Sequence, residues 1–270
     1  MMKTERFLED LFETGSIDFE PDAAMLIEAK RKLESALQMV RRPSAAVSLV
    51  ESPVGRLLVG VSDRGIAMIH YLIEANDLGA AIAKLRRSFD PVPDQAIVAR
   101  VTDELRHYLD GDADALRSRV DLRLVTSSFQ REVLTRLCEI APGAILTYSS
   151  LGALAGAPHA QRAVGGAMHD NPIPIYVPCH RVIRSDGSIG GYGGGLDVKR
   201  KLLLVEGFSV TAAGMVASEG AVWGNRGTRI YCRPGCHALA RAERTQTILF
   251  RDAGHAAAAG MRACRVCSPQ

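Results

Sequence analysis

The stretch Ile173-Pro174-Ile175-Tyr176-Val177-Pro178-Cys179-His180-Arg181-Val182-Ile183 sets a thiol, an imidazole and a guanidinium in consecutive positions near the end of an apolar run. Burying three such groups costs free energy unless each finds a partner, so the run reads as chemistry before it reads as core. A free thiol is only about 3% thiolate at neutral pH, and attack on carbon by Cys179 therefore needs a base or a stabilising field. His180 is adjacent in sequence. In an extended strand, however, neighbours point to opposite faces, so contact requires a turn or a bridging water. Pro178 makes the turn plausible. Glu206 falls at the end of a helical segment, where an acid opposes the dipole; there it would orient the imidazole as the third member of a nucleophile–base–orienter set. These residues point to an activated cysteine and leave its electrophile open.

A second constellation lies near the C-terminus. Cys232-Arg233-Pro234-Gly235-Cys236 and Cys264-Arg265-Val266-Cys267 have the spacing of a tetrahedral thiolate zinc site. Such a site supplies roughly 10–16 kcal/mol of folding free energy, enough to hold a short segment together. Residues 219–270 also carry eight arginines against three acidic residues, a local basic patch of the kind that meets phosphate.

The elements that must position these groups follow from pattern. The 270 residues are 47% apolar, enough to bury a real core, and the net charge of +3 is too weak to indicate nucleic acid by itself. No apolar run is long enough to span a bilayer, and Met1 to Phe12 lacks a signal-peptide core, so a cytoplasmic, membrane-free protein is expected. In that compartment cysteines mean metal or reactivity before disulfides. Residues 1–43 look helical from Pro21-Asp22 onward, with Leu26, Ile27, Leu33, Leu37 and Val40 on one face, and read as a packing appendage. Residues 46–72 alternate apolar runs with Pro/Gly turns, giving a β-meander. Helical spacing returns at 77–89 and 97–109, separated by Pro91 and Pro93; His70 and His107 within these elements have no second ligand at metal spacing.

The clearest helix is 127–140, opened by a capping box of Ser127 and Gln130, with Cys138 read as a small core residue on its apolar face. Two short helices around Ala157-Pro158 suggest helix-turn-helix. The second, His159 to Met168, is built from small residues; each glycine there costs about 1 kcal/mol relative to alanine, a cost justified by close approach to another backbone. Arg162 is its one long cation. Ser185-Asp186-Gly187 signals a hairpin turn, Gly190 to Gly195 form a glycine-rich loop around Tyr192, and Asp197 is expected to cap a last helix that ends at Glu206-Gly207.

Pro178-Cys179-His180-Arg181-Val182-Ile183, preceded by Arg162-Ala163-Val164-Gly165-Gly166-Ala167-Met168 and Asn171-Pro172, resembles the O6-alkylguanine-DNA alkyltransferase family from about Ser127 to Gly207, and 46–120 more loosely resembles its N-terminal sheet domain. The resemblance implies DNA repair by direct, stoichiometric transfer. An alkylated guanine (and an O4-alkylthymine) is flipped from the duplex and its alkyl group passes to Cys179. His180 would act through water as the base, oriented by Glu206. Tyr148 would donate a hydrogen bond to the guanine ring, Arg162 would fill the base stack, and Asn171 would tie the helix-turn-helix to the active-site turn. Ala163 and Gly165 would face double-stranded DNA in its minor groove. Val182, Tyr192, Gly193, Lys199, Met168 and Pro174 would belong to the substrate pocket. A monomer is implied, bacterial in type and associated with the nucleoid.

The tail from Ile230 to Cys267 resembles the zinc domain of the bacterial adaptive-response protein Ada, in which the first cysteine ligand accepts a methyl group from a phosphotriester. Here that domain stands at the wrong end of the chain, its lead-in is shortened to Gly220–Trp223, and Arg229 replaces an expected glycine, so a structural or DNA-anchoring site is preferred over an acceptor role for Cys232. The fold class expected is α/β (α+β). It comprises a helical extension (1–43), a small antiparallel-sheet domain (44–122), a mostly helical catalytic domain (123–208), a linker (209–227) and a zinc domain (228–270). Two other readings stay open: a thiol hydrolase using Cys179, His180 and Glu206, and a non-catalytic DNA-damage sensor built on the helix-turn-helix and zinc.

Overall fold

The computed structural model describes residues 23–40, 42–217, 219–240 and 243–269. Residues 1–22, and with them the helix start expected at Pro21-Asp22, lie outside the described residues. The chain divides into two units, Met1–Arg42 and Pro43–Gln270. In the first, α1 spans Ala23–Val40, and Leu26 and Ile27, expected on its packing face, are exposed.

The second unit opens with three antiparallel strands, β1 (Ser44–Val50), β2 (Leu57–Ser62) and β3 (Gly65–Tyr71). Helix α2 (Asp77–Leu85) follows, then β4 (Asp90–Pro93), which pairs parallel to β1 and gives the order β3-β2-β1-β4. The sheet is thus mixed rather than purely antiparallel, and Pro91 and Pro93 are strand residues rather than breaks. Proline lacks an N–H, and an edge strand tolerates that loss. Helix α3 (Gln95–Leu109) is capped by the Asp94 carboxylate, which accepts from the backbone N–H groups of Ala96 and Ile97 at 2.9 and 3.1 Å. It buries Val98, Val101, Leu105 and Tyr108, one stripe at helical spacing.

Helix α4 spans Ser128–Cys138, and Ser127 Oγ accepts from Gln130 N at 3.3 Å. The reciprocal half of the expected capping box, Ser127 N to Gln130 Oε1, is not formed; the Gln130 side chain is turned toward α6, where its Nε2 donates to the Ala167 carbonyl at 3.1 Å. Cys138 is exposed, not core; it lies one position past Leu137, the last buried residue of the helix. Strand β5 (Ala144–Thr147) leads directly into α5 (Tyr148–Leu154), and a turn leads to α6 (Gln161–His169). A Cβ at Gly152 would stand 2.8 Å from the Ala157 carbonyl oxygen, so this turn closes only over glycine. The short strand β6 (Val182–Ile183) pairs parallel with β5. Helix α7 (Leu196–Val205) begins after Gly195, whose φ of +89° occupies the N-cap position; Asp197 sits in the first turn and is not the cap. Glu206 is the C-cap, and Gly207 follows at φ +83°.

The expected linker holds a hairpin, β7 (Ser209–Val210) with β8 (Val216–Ala217), and the whole of β9 (Val222–Asn225). Beyond it lie β10 (Ile230–Cys232), β11 (Thr247–Phe250), α8 (Ala253–Ala258) and β12 (Arg262–Ala263). These strands do not make a separate layer. They continue the catalytic region's sheet in the order β12-β10-β9-β11-β5-β6. Ile145, Ile183, Leu203 and Phe208 share a core cluster with Leu249 of the tail.

Candidate active site and metal centre

Residues 171–181 fold into a turn that the backbone does not adopt cheaply. Ile175 has φ +76°, an outlying conformation for a β-branched residue, and strain of that kind persists only where the surroundings over-determine it. The fixings are visible. Val177 N donates to the Ile173 carbonyl at 2.9 Å, and Tyr176 Oη donates to Glu104 Oε2 at 2.8 Å. Asn171 Oδ1 accepts from Ile173 N at 3.0 Å, while its Nδ2 donates to the Val177 carbonyl at 2.9 Å and to Cys179 Sγ at 3.3 Å. Cys179–Arg181 then form one turn of 3₁₀ helix, so Cys179 and His180 are not neighbours on an extended strand.

Cys179 is 8% exposed and lies where two cavities meet. One, of about 330 Å³, is lined by Tyr148 and Gly165; the other, of about 400 Å³, is lined by Tyr71, Pro174 and Asn171; Met168, Tyr192 and Gly193 border both. Burial pushes the thiol's pKa up, and the Asn171 hydrogen bond and the Lys199 charge pull it back.

His180 is wholly buried. Its Nε2 stands 3.0 Å from Glu206 Oε1 and 3.2 Å from the Tyr108 hydroxyl, while Nδ1 has no hydrogen-bond partner among the described residues. Burial alone would raise the Glu206 pKa, but His180 and Arg181 outweigh it and hold the carboxyl at about 2. Arg181 Nε reaches both carboxylate oxygens at 2.9 Å, Nη2 reaches Oε1 at 2.6 Å, and Nη1 donates to the Ile140 carbonyl. Arg181 is therefore the ionic partner of Glu206. An ionised carboxylate only accepts, so the proton between Glu206 and His180 belongs to Nε2, and Nδ1 is the bare, basic nitrogen. Burial lowers the pKa of His180 and keeps the ring neutral.

Tyr108 was not legible as a site residue. Its hydroxyl donates to Glu206 Oε1 at 2.8 Å, which leaves its oxygen free only to accept from His180 Nε2. It thus favours the same tautomer. The one available signal was a tyrosine on the buried stripe of α3, since a buried phenol needs a partner for its hydroxyl. Tyr108→Phe is expected to slow alkylation of Cys179 several-fold and to raise the pH at which the thiol reacts, with Tm lowered by only a few degrees. Iodoacetamide kinetics against pH measure this.

Lys199 and Val182 do not line either cavity. Val182 is wholly buried, and the Lys199 ammonium, also wholly buried, donates to the carbonyls of Val182 at 2.7 Å, Ile189 at 2.5 Å and Gly191 at 3.4 Å. Burial lowers the Lys199 pKa to about 8. The lysine stands behind the pocket and holds its wall. Met168, Pro174, Tyr192 and Gly193 do line the cavities, and Tyr71 joins them, its hydroxyl 3.0 Å from that of Tyr192. A Cβ at Gly194 would press to 2.8 Å from the Tyr71 ring, so the glycine loop closes against β3. Tyr148 opens α5, and Arg162, Ala163 and Gly166 are exposed on α6, with Gly165 half-buried. Beyond its chain neighbours and its own helix backbone, no atom of the described residues lies within 4 Å of where a Gly166 Cβ would be. The protein's own packing does not require that glycine, and the surface is left open to close approach from outside.

The sulfurs of Cys232, Cys236, Cys264 and Cys267 all lie within 4.8 Å of one another. Tetrahedral zinc at 2.3 Å from sulfur needs S···S distances of about 3.8 Å, and an all-thiolate set suits zinc, so the four residues fit the metal. Arg233 N and Val266 N donate to Cys267 Sγ and Cys264 Sγ, both at 3.4 Å. Arg229 shows why a glycine was expected: its φ is +58°. Its guanidinium donates to the carbonyls of Ala259 and Gly260, anchoring the strained residue across the module. No described helix is long and apolar enough to cross a membrane.

Residues 128–208 match the family described as 6-O-methylguanine DNA methyltransferase, DNA binding domain, and residues 212–270 match the metal binding domain of Ada. The chain is 50% identical over 94 residues to the human methylated-DNA–protein-cysteine methyltransferase, covering 34% of this chain and 45% of that one. It is 34% identical over 160 residues to the Methanosarcina barkeri protein of the same name, covering 58% of this chain and 94% of that one. The chain thus spans under half of the human and rat relatives, and nearly all of the archaeal one. The crystal structure of Mycobacterium tuberculosis O6-methylguanine methyltransferase superposes with a TM-score of 0.50 at 33% identity, covering 60% of this chain and 92% of that one.

Proposed function

The chain belongs to the methylated-DNA–protein-cysteine methyltransferase family, and from that premise we propose that it repairs DNA by moving an alkyl group from O6 of guanine onto its own Cys179. The observation that carries this reading is the placement of Cys179. Its sulfur accepts from Asn171 Nδ2 and sits at the junction of the two cavities, in the same turn as a neutral His180 whose Nδ1 is unengaged. In the reaction the thiol proton passes, through water, to His180 Nδ1. The thiolate attacks the alkyl carbon, the carbon–O6 bond breaks, and its electrons leave on the guanine, where the Tyr148 hydroxyl meets them with a hydrogen bond. The imidazolium is stabilised by Glu206, already ionised and aligned, so little reorganises as charge develops. The thioether is not hydrolysed, and each molecule acts once.

DNA is the partner. The exposed, small-residue face of α6 suits the minor groove, with Arg162 entering the stack as the base flips out, at a cost of a few kcal/mol that damage lowers. O4-alkylthymine falls within the same chemistry. The protein acts as a monomer in the cytoplasm, beside the chromosome. Zinc on the four cysteines supplies structural cross-linking; Cys232 as a phosphotriester acceptor is the secondary reading. Incubation with O6-methylguanine DNA should add about 14 Da, one methyl for one hydrogen, to the Cys179 peptide at one equivalent per protein. Repeated turnover would support a thiol hydrolase instead, and no transfer a damage sensor. Methyl-phosphotriester DNA in the same assay tests Cys232. Removal of the O6 lesion by a Cys179→Ala protein would overturn the proposal.

A further inference from the structure

We infer that the four-cysteine module is part of the scaffold of the transfer site, and that metal loading positions Tyr148 by way of strands β11 and β5. The inference rests on the role given to Tyr148 above, but its structural half stands apart from that role. Strand β5 has four residues, all buried, and its partner β6 offers it only two pairs, Leu146↔Val182 and Thr147↔Ile183. A ladder that short does not hold alone. The other edge of β5 is taken by β11, with Ile248↔Leu146, Leu249↔Ile145 and Phe250↔Ala144. Strand β11 in turn pairs with β9, and β9 with β10, whose last residue is the metal ligand Cys232. Beyond it, β12 ends one residue before Cys264, whose N–H donates to the Tyr231 carbonyl at 2.9 Å. Strands of two to four residues need a cross-link, and thiolates bound to one metal supply it.

The same contact reaches the helix that Tyr148 opens. Thr147 Oγ1 caps α5 by accepting from Ser150 N at 3.0 Å and stands 2.9 Å from Ser150 Oγ, which donates to the Thr247 carbonyl on β11 at 2.9 Å. Ser150 is wholly buried and bridges the two modules two residues past Tyr148 on α5. Thr147 thus ends β5, pairs with Ile183 of β6 and caps α5 at once, so displacement of β11 is felt at both Tyr148 and the strand that follows the Cys179 turn.

The test strips metal from the full chain with a chelator, or removes one ligand with Cys264→Ser. It follows hydrogen exchange by peptide, emission from Trp223 (the sole tryptophan, paired with both Cys232 and Leu249), affinity for O6-methylguanine DNA, and the single-turnover transfer rate. Metal loss should speed exchange across 144–154 at least tenfold and shift Trp223 emission, while peptides from 57–71 keep their protection. Transfer should slow more than DNA affinity weakens. Faster exchange confined to 222–267, with 144–154 unchanged, overturns the inference. Should metal loss unfold the whole chain, Ser150→Ala decides. It retains all four ligands and is expected to keep full metal content and DNA affinity while slowing transfer several-fold and speeding exchange at 147–151. Unchanged rate and exchange in that variant overturn the inference. Absence of any transfer by the unaltered protein would sink the proposed activity and leave the exchange result to judge the scaffold.

Discussion

Glu206→Gln is expected to slow alkyl transfer by about two orders of magnitude and to cost roughly 3–5 kcal/mol of stability, the two effects coming from one carboxylate. Glu206 is wholly buried and accepts from Arg181, His180 and Tyr108. The amide has nearly the same shape but no charge, so Arg181 is left buried without its counter-ion, and the amide's own N–H competes with that of His180. Either the imidazole turns or its tautomer changes, and Nδ1 ceases to be the bare nitrogen. The pH sign follows from the direction of the shifts. Glu206 is held at about 2, below the usual carboxylate range, so its stabilisation is fully present above that range and is lost as pH falls toward 2. His180 is shifted downward as a buried neutral ring, so it adds to the same acid-side loss, beginning below the ordinary histidine range. Urea midpoints at pH 7 and pH 5 follow the His180 loss, which both proteins should show. Midpoints at pH 5 and about pH 3 follow the carboxylate, and over that interval the unaltered protein should lose more stability than Glu206→Gln; equal loss there would show that the carboxylate is not the titrating group.

Cysteine, histidine and glutamate were legible because their types are costly in an apolar setting, and cost of that kind shows in sequence. The turn at Cys179–Arg181 was half legible: Pro178 signalled it, whereas the left-handed Ile175 that shapes the approach carries no sequence mark, since nothing in an isoleucine announces φ +76°. Tyr108 and Tyr71 were hidden for a different reason. Each sits on an ordinary apolar stripe, and only tertiary contact shows that its hydroxyl has a partner in the site. Lys199 was assigned to the pocket from resemblance, and the structure places it behind the wall, with its ammonium on backbone carbonyls that no periodicity reveals. The tail shows the limit of reading domains from composition. Residues 209–227 are rich in small residues and read as a linker, yet β7, β8 and β9 all lie inside them, because strands of two to four residues are too short for alternation to register. The four cysteines, by contrast, were fully legible, since metal geometry fixes their spacing.

Lys199→Met is expected to slow transfer about tenfold and to destabilise the protein by roughly 1–3 kcal/mol, without weakening DNA binding. Methionine fills much of the lysine's volume but donates no hydrogen bond, so the carbonyls of Val182 and Ile189 lose a charged donor. These two carbonyls flank the hairpin turn between the Cys179 turn and the glycine loop, and Gly191, the third acceptor, immediately precedes Tyr192 on the pocket wall. The ammonium also favours the Cys179 thiolate, opposing the upward pull of burial. Because burial brings Lys199 to about 8, the positive field fades as pH rises through that value, just where thiol ionisation would otherwise accelerate alkylation. The unaltered protein should therefore show a rate that climbs with pH and flattens above about 8, whereas Lys199→Met should start lower and climb without that break. Rates of Cys179 alkylation from pH 6 to pH 10 distinguish the two. The same break in both proteins would assign it to another group and leave Lys199 a purely structural clamp. DNA affinity should be equal in both, because α6, which carries Arg162, makes no hydrogen bond to the lysine.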